Sequence, residues 1–455
     1  MREAKTSYNS GMRNQDIINR SLQSVWHPCT QMKRHEQFPL IPIKLGQGVW
    51  LHDSEGKRYL DAVSSWWVNL FGHNNSRIKN AIKQQLDMLE HVMLAGFTHE
   101  PVVKLSEKLA KLTGLGHAFY ASDGASATEI ALKMSFHYWR NLYSETPDKA
   151  NKTKFISLQN SYHGETLGAL GVTDVAIFKD TYAPLLMQSA QMPSPDFRLA
   201  EAGESAEDFA LRCALALEVY IAAHHETIAA FIIEPLVQCA AGMGMYHPVY
   251  LKRAREICTQ YQVHLIADEI AVGFGRTGTM FACEQSGEKV ANIADFICLS
   301  KGITGGYLPL SCVLTTDNIY QAFYQDQAVK GFLHSHSYTG NPLACSAALA
   351  TLSLFEARDV LGNNQQLAQT MLNAVESYDL PLANIRQRGM ITAFEVNTHN
   401  HNFARECYAA ALKFGLLLRP IGNTVYWMPP YCITTEEIAH MAQATQKAIQ
   451  ESLLV

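Results

Sequence analysis

The chain has 455 residues, 47% hydrophobic, 17% charged and 10% aromatic, with 37 Lys plus Arg against 42 Asp plus Glu and a net charge of −5. A balance so close to neutral leaves no basic footprint for nucleic acid, and no polybasic run points to a membrane surface. At this size a large core can form without disulfides or metal, and the composition excludes fibrous and disordered classes, so a globular enzyme is expected.

The first twenty residues, MREAKTSYNSGMRNQDIINR, are polar and hold no apolar stretch of the kind found in signal peptides. The ten cysteines are scattered, with no Cys-x-x-Cys pair. Reduced thiols in a cytoplasm are therefore expected. Runs such as 229–233 are too short to span a bilayer.

In chain order, residues 41–60 read as a short β meander turning at Asp53-Ser54-Glu55-Gly56-Lys57. Helices are predicted at 78–89 and 102–112, a strand at 117–121, a helix at 127–143 and a surface loop at 144–153. Strands follow at 154–158, 229–233, 263–267, 295–299 and 310–315, with helices at 248–261 and 343–356. These strands are continuous apolar runs, as in a sheet covered on both faces, and their alternation with helices predicts a mostly parallel, doubly wound α/β sheet. Beyond about residue 345, strands are predicted at 389–396 and 416–428. A last helix opens on the capping box Thr434-Thr435-Glu436-Glu437.

Ligands of such sheets bind beyond the carboxyl ends of the strands, and three strand ends carry unusual residues. VHLIADEIAVGFGRTG runs an apolar strand into Asp268 and Glu269; these are either solvated acids or a buried carboxylate that needs a positive partner. DFICLSKGITGG ends a strand at Lys301 among glycines; the lysine is either a surface charge or a desolvated amine able to attack a carbonyl. ASDGASATE places Gly124 and Ala125 at a helix N-terminus. Their amides could cradle a phosphate, although Ser126 to Glu129 also fits an ordinary capping box. Phosphate cradle, carboxylate and lysine together match what pyridoxal phosphate requires. Gly273 to Gly278 satisfies G-x-G-x-x-G, but the acids before it would repel a pyrophosphate and the residues after it start a helix poorly. His399, Asn400 and His401 sit in a polar turn and read as a solvated loop.

With these motifs in view, the sequence resembles the class III (ω-type) pyridoxal phosphate aminotransferases from about Trp26 to its end. DEIAVGFGRTG, SKGITGG and IIEP (Ile232 to Pro235) carry the resemblance. WHPCTQM, SSWWVNLFGH, HVMLAGFTHEP, NSYHGETLGAL and LLLRPIGNTVYWMPPY make it similar to the branch serving biotin synthesis. That branch implies amino transfer from S-adenosylmethionine to 8-amino-7-oxononanoate, ping-pong through pyridoxamine phosphate. The neighbouring possibility is a family member using an ω-amino acid, diamine or lysine.

The resemblance also implies the fold type I architecture: an N-terminal segment (1–75) joining a C-terminal small domain (346–455) around a large cofactor-binding domain (76–345). Lys301 would bond the cofactor aldehyde, Asp268 would hold its pyridine nitrogen, and Gly124 and Ala125 its phosphate. Tyr162 would lie against the ring and touch substrate. Ser337 would reach the phosphate in a neighbouring subunit, making a homodimer, with Ser335 beside it toward substrate. Trp66, Arg419 and Tyr426 would form the substrate wall, with Arg419 clamping a carboxylate. Three departures stand out: Cys29 where a tyrosine is common, Glu165 for a common aspartate, and SDGASATE for a serine-glycine-serine loop.

Overall fold

The computed structural model describes residues 13–38, 40–145 and 151–454. Its strands, in chain order, are β1 (Ile43–Gln47), β2 (Trp50–Asp53), β3 (Arg58–Asp61), β4 (His117–Ala121), β5 (Lys154–Leu158), β6 (Ala190–Met192), β7 (Ile228–Ile233), β8 (Val237–Gln238) and β9 (Gly244–Met245). They continue with β10 (His264–Asp268), β11 (Phe296–Leu299), β12 (Ser311–Thr315), β13 (Leu382–Arg388), β14 (Ile391–Val396), β15 (Leu416–Leu417) and β16 (Thr424–Trp427).

The large sheet has the order β4-β12-β11-β10-β7-β5-β6. Only β12 pairs antiparallel to its neighbours; the rest share one direction. Every residue of β7, β10, β11 and β12 is buried, as expected of apolar strands with helices on both faces. The predicted strands of this sheet all form, and helices Gly124–Leu142 and Val249–Gln260 pack against it.

The chain ends meet in a second sheet. The meander β1-β2-β3 forms as expected and is extended by β15, which runs parallel to β3 (Leu416 beside Leu60, Leu417 beside Asp61). The strand expected at 416–428 is therefore two: β15 joins the N-terminal sheet, while β16 pairs with β14 in the sheet β13-β14-β16. Gly422, with φ of 60°, allows the turn between them. β13 was not expected; its polar sequence, LANIRQR, carries no continuous apolar run. Thr434 and Glu437 form the expected reciprocal cap on helix Thr435–Leu453. The other expected box does not form: Asp123 caps helix Gly124–Leu142 through Ser126 N, and Glu129 instead holds Gly168 N and Thr166 Oγ1.

Among the described residues no helix is long and apolar enough to cross a membrane, and all ten cysteines are free. The loop expected at 144–153 lies partly outside the described residues.

Candidate active site

Five neighbouring elements deliver side chains to one rim. β10 ends at Asp268, β7 ends one residue before Glu234, and β11 ends two residues before Lys301. The loops after β4 and β5 bring Gly124, Ala125 and Tyr162. These residues line one pocket of about 270 Å³, together with Trp67, His163 and Ile270. A larger depression of about 760 Å³ lies between helix Gly124–Leu142 and residues 327–334, and contains none of them.

Asp268 is buried, its Oδ2 2.7 Å from His163 Nδ1 and its Oδ1 accepting Ile270 N at 3.1 Å. Glu234 is buried and accepts Tyr162 N at 2.9 Å and Cys239 N at 3.2 Å. Burial, then the charge of Asp268, pushes its carboxyl up to about 8 despite those two amides. Next along β10, Glu269 turns away from the pocket to accept Ala282 N and Cys283 N, and burial raises it to about 7. The acid pair DE is thus split between pocket and scaffold.

Lys301 adopts a left-handed backbone, with φ of 41°, and its ammonium stands 5.4 Å above the Trp67 ring. Burial lowers its pKa against the opposing pull of Asp268, Cys239 and Glu234. Its Nζ makes no hydrogen bond or ion pair among the described residues. An enclosed amine with a depressed pKa and no partner is a nucleophile. The Tyr162 hydroxyl donates to Glu165 Oε1 at 2.9 Å, and burial followed by that carboxylate raises its pKa well above the usual phenol range.

The pyridoxal phosphate expected from the sequence fits these residues. The first-turn amides of Gly124 and Ala125 have no acceptor within their helix, and a Cβ at Gly124 would sit 3.0 Å from Ile270 Cγ2, so a glycine there keeps the approach open without displacing Ile270. Asp268 faces the same pocket as the amine of Lys301.

Trp66, Trp67, Arg419 and Tyr426 meet in two pairs, by an unexpected route. Trp66 and Trp67 do not lie on a strand. Ser64, Ser65, Trp66 and Trp67 have φ of 51°, 48°, 71° and 73°, one turn of left-handed backbone. Trp67 is buried and donates Nε1–H to the Tyr426 hydroxyl at 3.1 Å. Trp66 is 40% exposed and stacks under Arg419, whose Cζ lies 4.3 Å from the ring centroid. Arg419 is exposed and pairs with no carboxylate among the described residues.

Ser335 and Ser337 lie on an exposed loop and do not line this chain's pocket. The Ser337 carbonyl accepts from His91 Nε2 at 2.8 Å. Cys29 is exposed and has φ of 49°. The G-x-G-x-x-G segment is a run of turns after β10, not a helix start. Sequence reasoning passed over Trp67, His163 and Glu234. Glu234 carried a usable signal, an acid directly after an apolar strand and before a proline.

The model of the family described as aminotransferase class-III matches residues 31–449. An adenosylmethionine-8-amino-7-oxononanoate aminotransferase of Helicobacter pylori is 49% identical over 92% of this chain and 94% of its own length. The crystal structure of the enzyme so named from Methanocaldococcus jannaschii superposes with a TM-score of 0.88 at 35% identity, covering 96% of this chain and 99% of that one. An omega transaminase of Pseudomonas jessenii, solved in complex with PMP, gives a TM-score of 0.89 at 28% identity over 96% of this chain and 98% of its own.

Proposed function

This chain belongs to the aminotransferase class-III family, and we propose that within it the chain transfers an amino group from S-adenosylmethionine to 8-amino-7-oxononanoate, giving 7,8-diaminononanoate for biotin synthesis. One observation carries the substrate reading: an amine, that of Lys301, stands over the Trp67 ring, and the adjacent Trp66 supports an Arg419 guanidinium that pairs with no carboxylate among the described residues. An apolar acceptor chain ending in a carboxylate suits a site with that amine, aromatic rings and a free cation. The relatives named for this reaction support it.

Pyridoxal phosphate is the family's cofactor, and when bound it supplies an electrophilic carbonyl and an electron sink. The chain's own residues do the rest. The amides of Gly124 and Ala125 hold the phosphate. Asp268, fixed by His163 and by Ile270 N, keeps a proton on the pyridine nitrogen. Lys301, its pKa lowered by burial, moves the proton at the reacting carbon. Tyr162 packs beside the ring, and Glu165 offers a carboxylate to a cationic donor. Arg419 holds the acceptor's carboxylate.

We also propose a homodimer in which the loop of Ser335 and Ser337 enters the partner's site. Both serines are exposed and stand outside their own pocket, and Leu333 and Tyr338 beside them expose large apolar surfaces. The division into 1–75 with 346–455 around 76–345 is supported by the pairing of β3 with β15. A cytoplasmic location is supported by ten free thiols.

The test is a half-reaction: holoprotein mixed with one amino donor at a time while the cofactor's visible absorbance is followed. S-Adenosylmethionine should shift the band and 8-amino-7-oxononanoate should restore it. A response only to lysine or to an ω-amine would move the donor assignment, and no cofactor band at all would end the reading.

A further inference from the structure

Four consecutive non-glycine residues in the left-handed region are held against their own preference, and their position between Lys301 and Arg419 asks what holds them. Backbone bonds close the turn, with Trp67 N on Val63 O at 2.8 Å and Val68 N on Ser64 O at 3.0 Å. Such bonds would form equally in a right-handed turn and do not select the hand. Two side-chain contacts from the turn itself can select it: Ser64 Oγ–H donates to Met428 O at 2.7 Å, and Ser65 donates to a buried carboxylate. Asp61, the last residue of β3, is fully buried, and its Oδ2 accepts Ser65 Oγ–H at 2.8 Å while its Oδ1 accepts Val63 N–H at 3.3 Å. No lysine or arginine pairs with it among the described residues.

A relay fixes the carboxylate in turn. Asn69 Oδ1 accepts Gly72 N at 2.7 Å, which orients the amide so that its Nδ2 donates to His73 Nδ1 at 3.2 Å. His73 then carries its proton on Nε2, 3.0 Å from Asp61 Oδ2. Each link in the chain Gly72, Asn69, His73, Asp61, Ser65 pairs one donor with one acceptor.

We propose that Asp61 is a positioning residue for amino transfer: through Ser65 and Val63 it sets the hand of the turn, and so places Trp66 under Arg419 and Trp67 under Lys301. It touches neither substrate nor cofactor. The kinetic part of this inference rests on the substrate reading above; the structural part does not.

The experiment compares Ser65→Ala, Asp61→Asn and Asp61→Ala in the full chain, with and without added cofactor. Near-ultraviolet circular dichroism reads the packing of the tryptophans, thermal unfolding reads stability, and steady-state kinetics give kcat and KM for both substrates. Ser65→Ala, at an exposed position, should fold normally yet raise KM for 8-amino-7-oxononanoate at least threefold and change the tryptophan dichroism even without cofactor. Asp61→Ala should do both more strongly, by tenfold or more in KM, and Asp61→Asn should recover part of the loss because its amide oxygen can still accept from Ser65. Variants that lose only melting temperature, with dichroism and KM unchanged, would overturn the proposal. If the wild type did not use this substrate pair, the substrate reading would fail while the dichroism of the three variants still decided the role of Asp61.

Discussion

Lys301, Asp268 and Glu234 stand at the ends of adjacent parallel strands, whereas Trp66, Trp67 and Arg419 stand on backbone outside any long element. Asp268 is placed by ladder register, paired with Cys298 across β10 and β11; Glu234 follows Ile233, which is paired with Ala267 across β10 and β7, and Lys301 lies two residues past β11 with a φ of 41°. The second group is placed by strain held in check. Left-handed backbone costs about 1–2 kcal/mol for each non-glycine residue, and hydrogen bonds to a charged acceptor such as Asp61 contribute about 1.5–3 kcal/mol each. The two are of one size, so the buried carboxylate can offset a large part of the cost of the turn. On the proposed function, chemistry common to the family would sit on the strand ends, and recognition of a particular substrate on the turn that single substitutions can retune.

Removing the amine tests the rigid half most severely. Lys301→Ala should lower kcat by at least about 10⁴-fold, since a nucleophile and a proton carrier are lost together, while the melting temperature changes little. Near-normal turnover of that variant would refute the nucleophile assignment and leave the contrast between the two halves without its chemical end.

The opposite half is tested at Arg419. A guanidinium holding a carboxylate through charge-assisted bonds contributes about 1.5–3 kcal/mol, so Arg419→Ala should raise KM for 8-amino-7-oxononanoate by roughly 10- to 100-fold with kcat changed far less. An unchanged KM for both substrates would show that the clamp lies elsewhere. The two variants should therefore split cleanly, one in kcat and the other in KM.

A pH series sharpens the rigid half further. Glu234, raised from 4.5 to about 8 by burial and by Asp268, keeps a proton in the folded chain that the unfolded chain releases above about pH 4.5. This carboxyl therefore lowers stability progressively from about pH 4.5 to about 8, with no further loss above that. Glu234→Gln removes the titration, so its urea midpoint measured without cofactor should improve relative to wild type as pH rises through that window. Parallel curves would mean that the carboxyl is ionised throughout.

The same contrast explains what the sequence disclosed. Buried parallel strands read as unbroken apolar runs, so a polar residue at the end of one is conspicuous, and Asp268, Lys301 and the glycine at 124 were found by that logic. Strands β4, β5, β7, β10, β11 and β12 followed from the same runs, whereas β6 and helix Ala206–His224 did not. Nothing comparable marks the turn at Ser64–Trp67. SSWW has no glycine to announce positive φ, and the residues that hold it, Asp61 and His73, are twelve apart and meet only after β3 and the following loop are in place. β13 was missed because a strand of mostly part-exposed polar residues has no apolar signature. The capping box that Ser126 to Glu129 also fitted does not form, because Asp123, three residues earlier, takes the Ser126 amide.

Trp66 allows the smallest and most discriminating test. Its ring lies beneath the Arg419 guanidinium but is 40% exposed, and a cation–π contact at an exposed site is worth about 0.5–1 kcal/mol. Trp66→Leu should therefore raise KM for the carboxylate-bearing acceptor only about two- to fivefold, leaving kcat and the half-reaction with the donor unchanged. Combined with Arg419→Ala it should add almost nothing, because the ring acts on substrate through the guanidinium it supports. Full additivity of the two would mean that Trp66 contacts substrate directly, and the left-handed turn would then present two independent binding groups rather than one ring and one support.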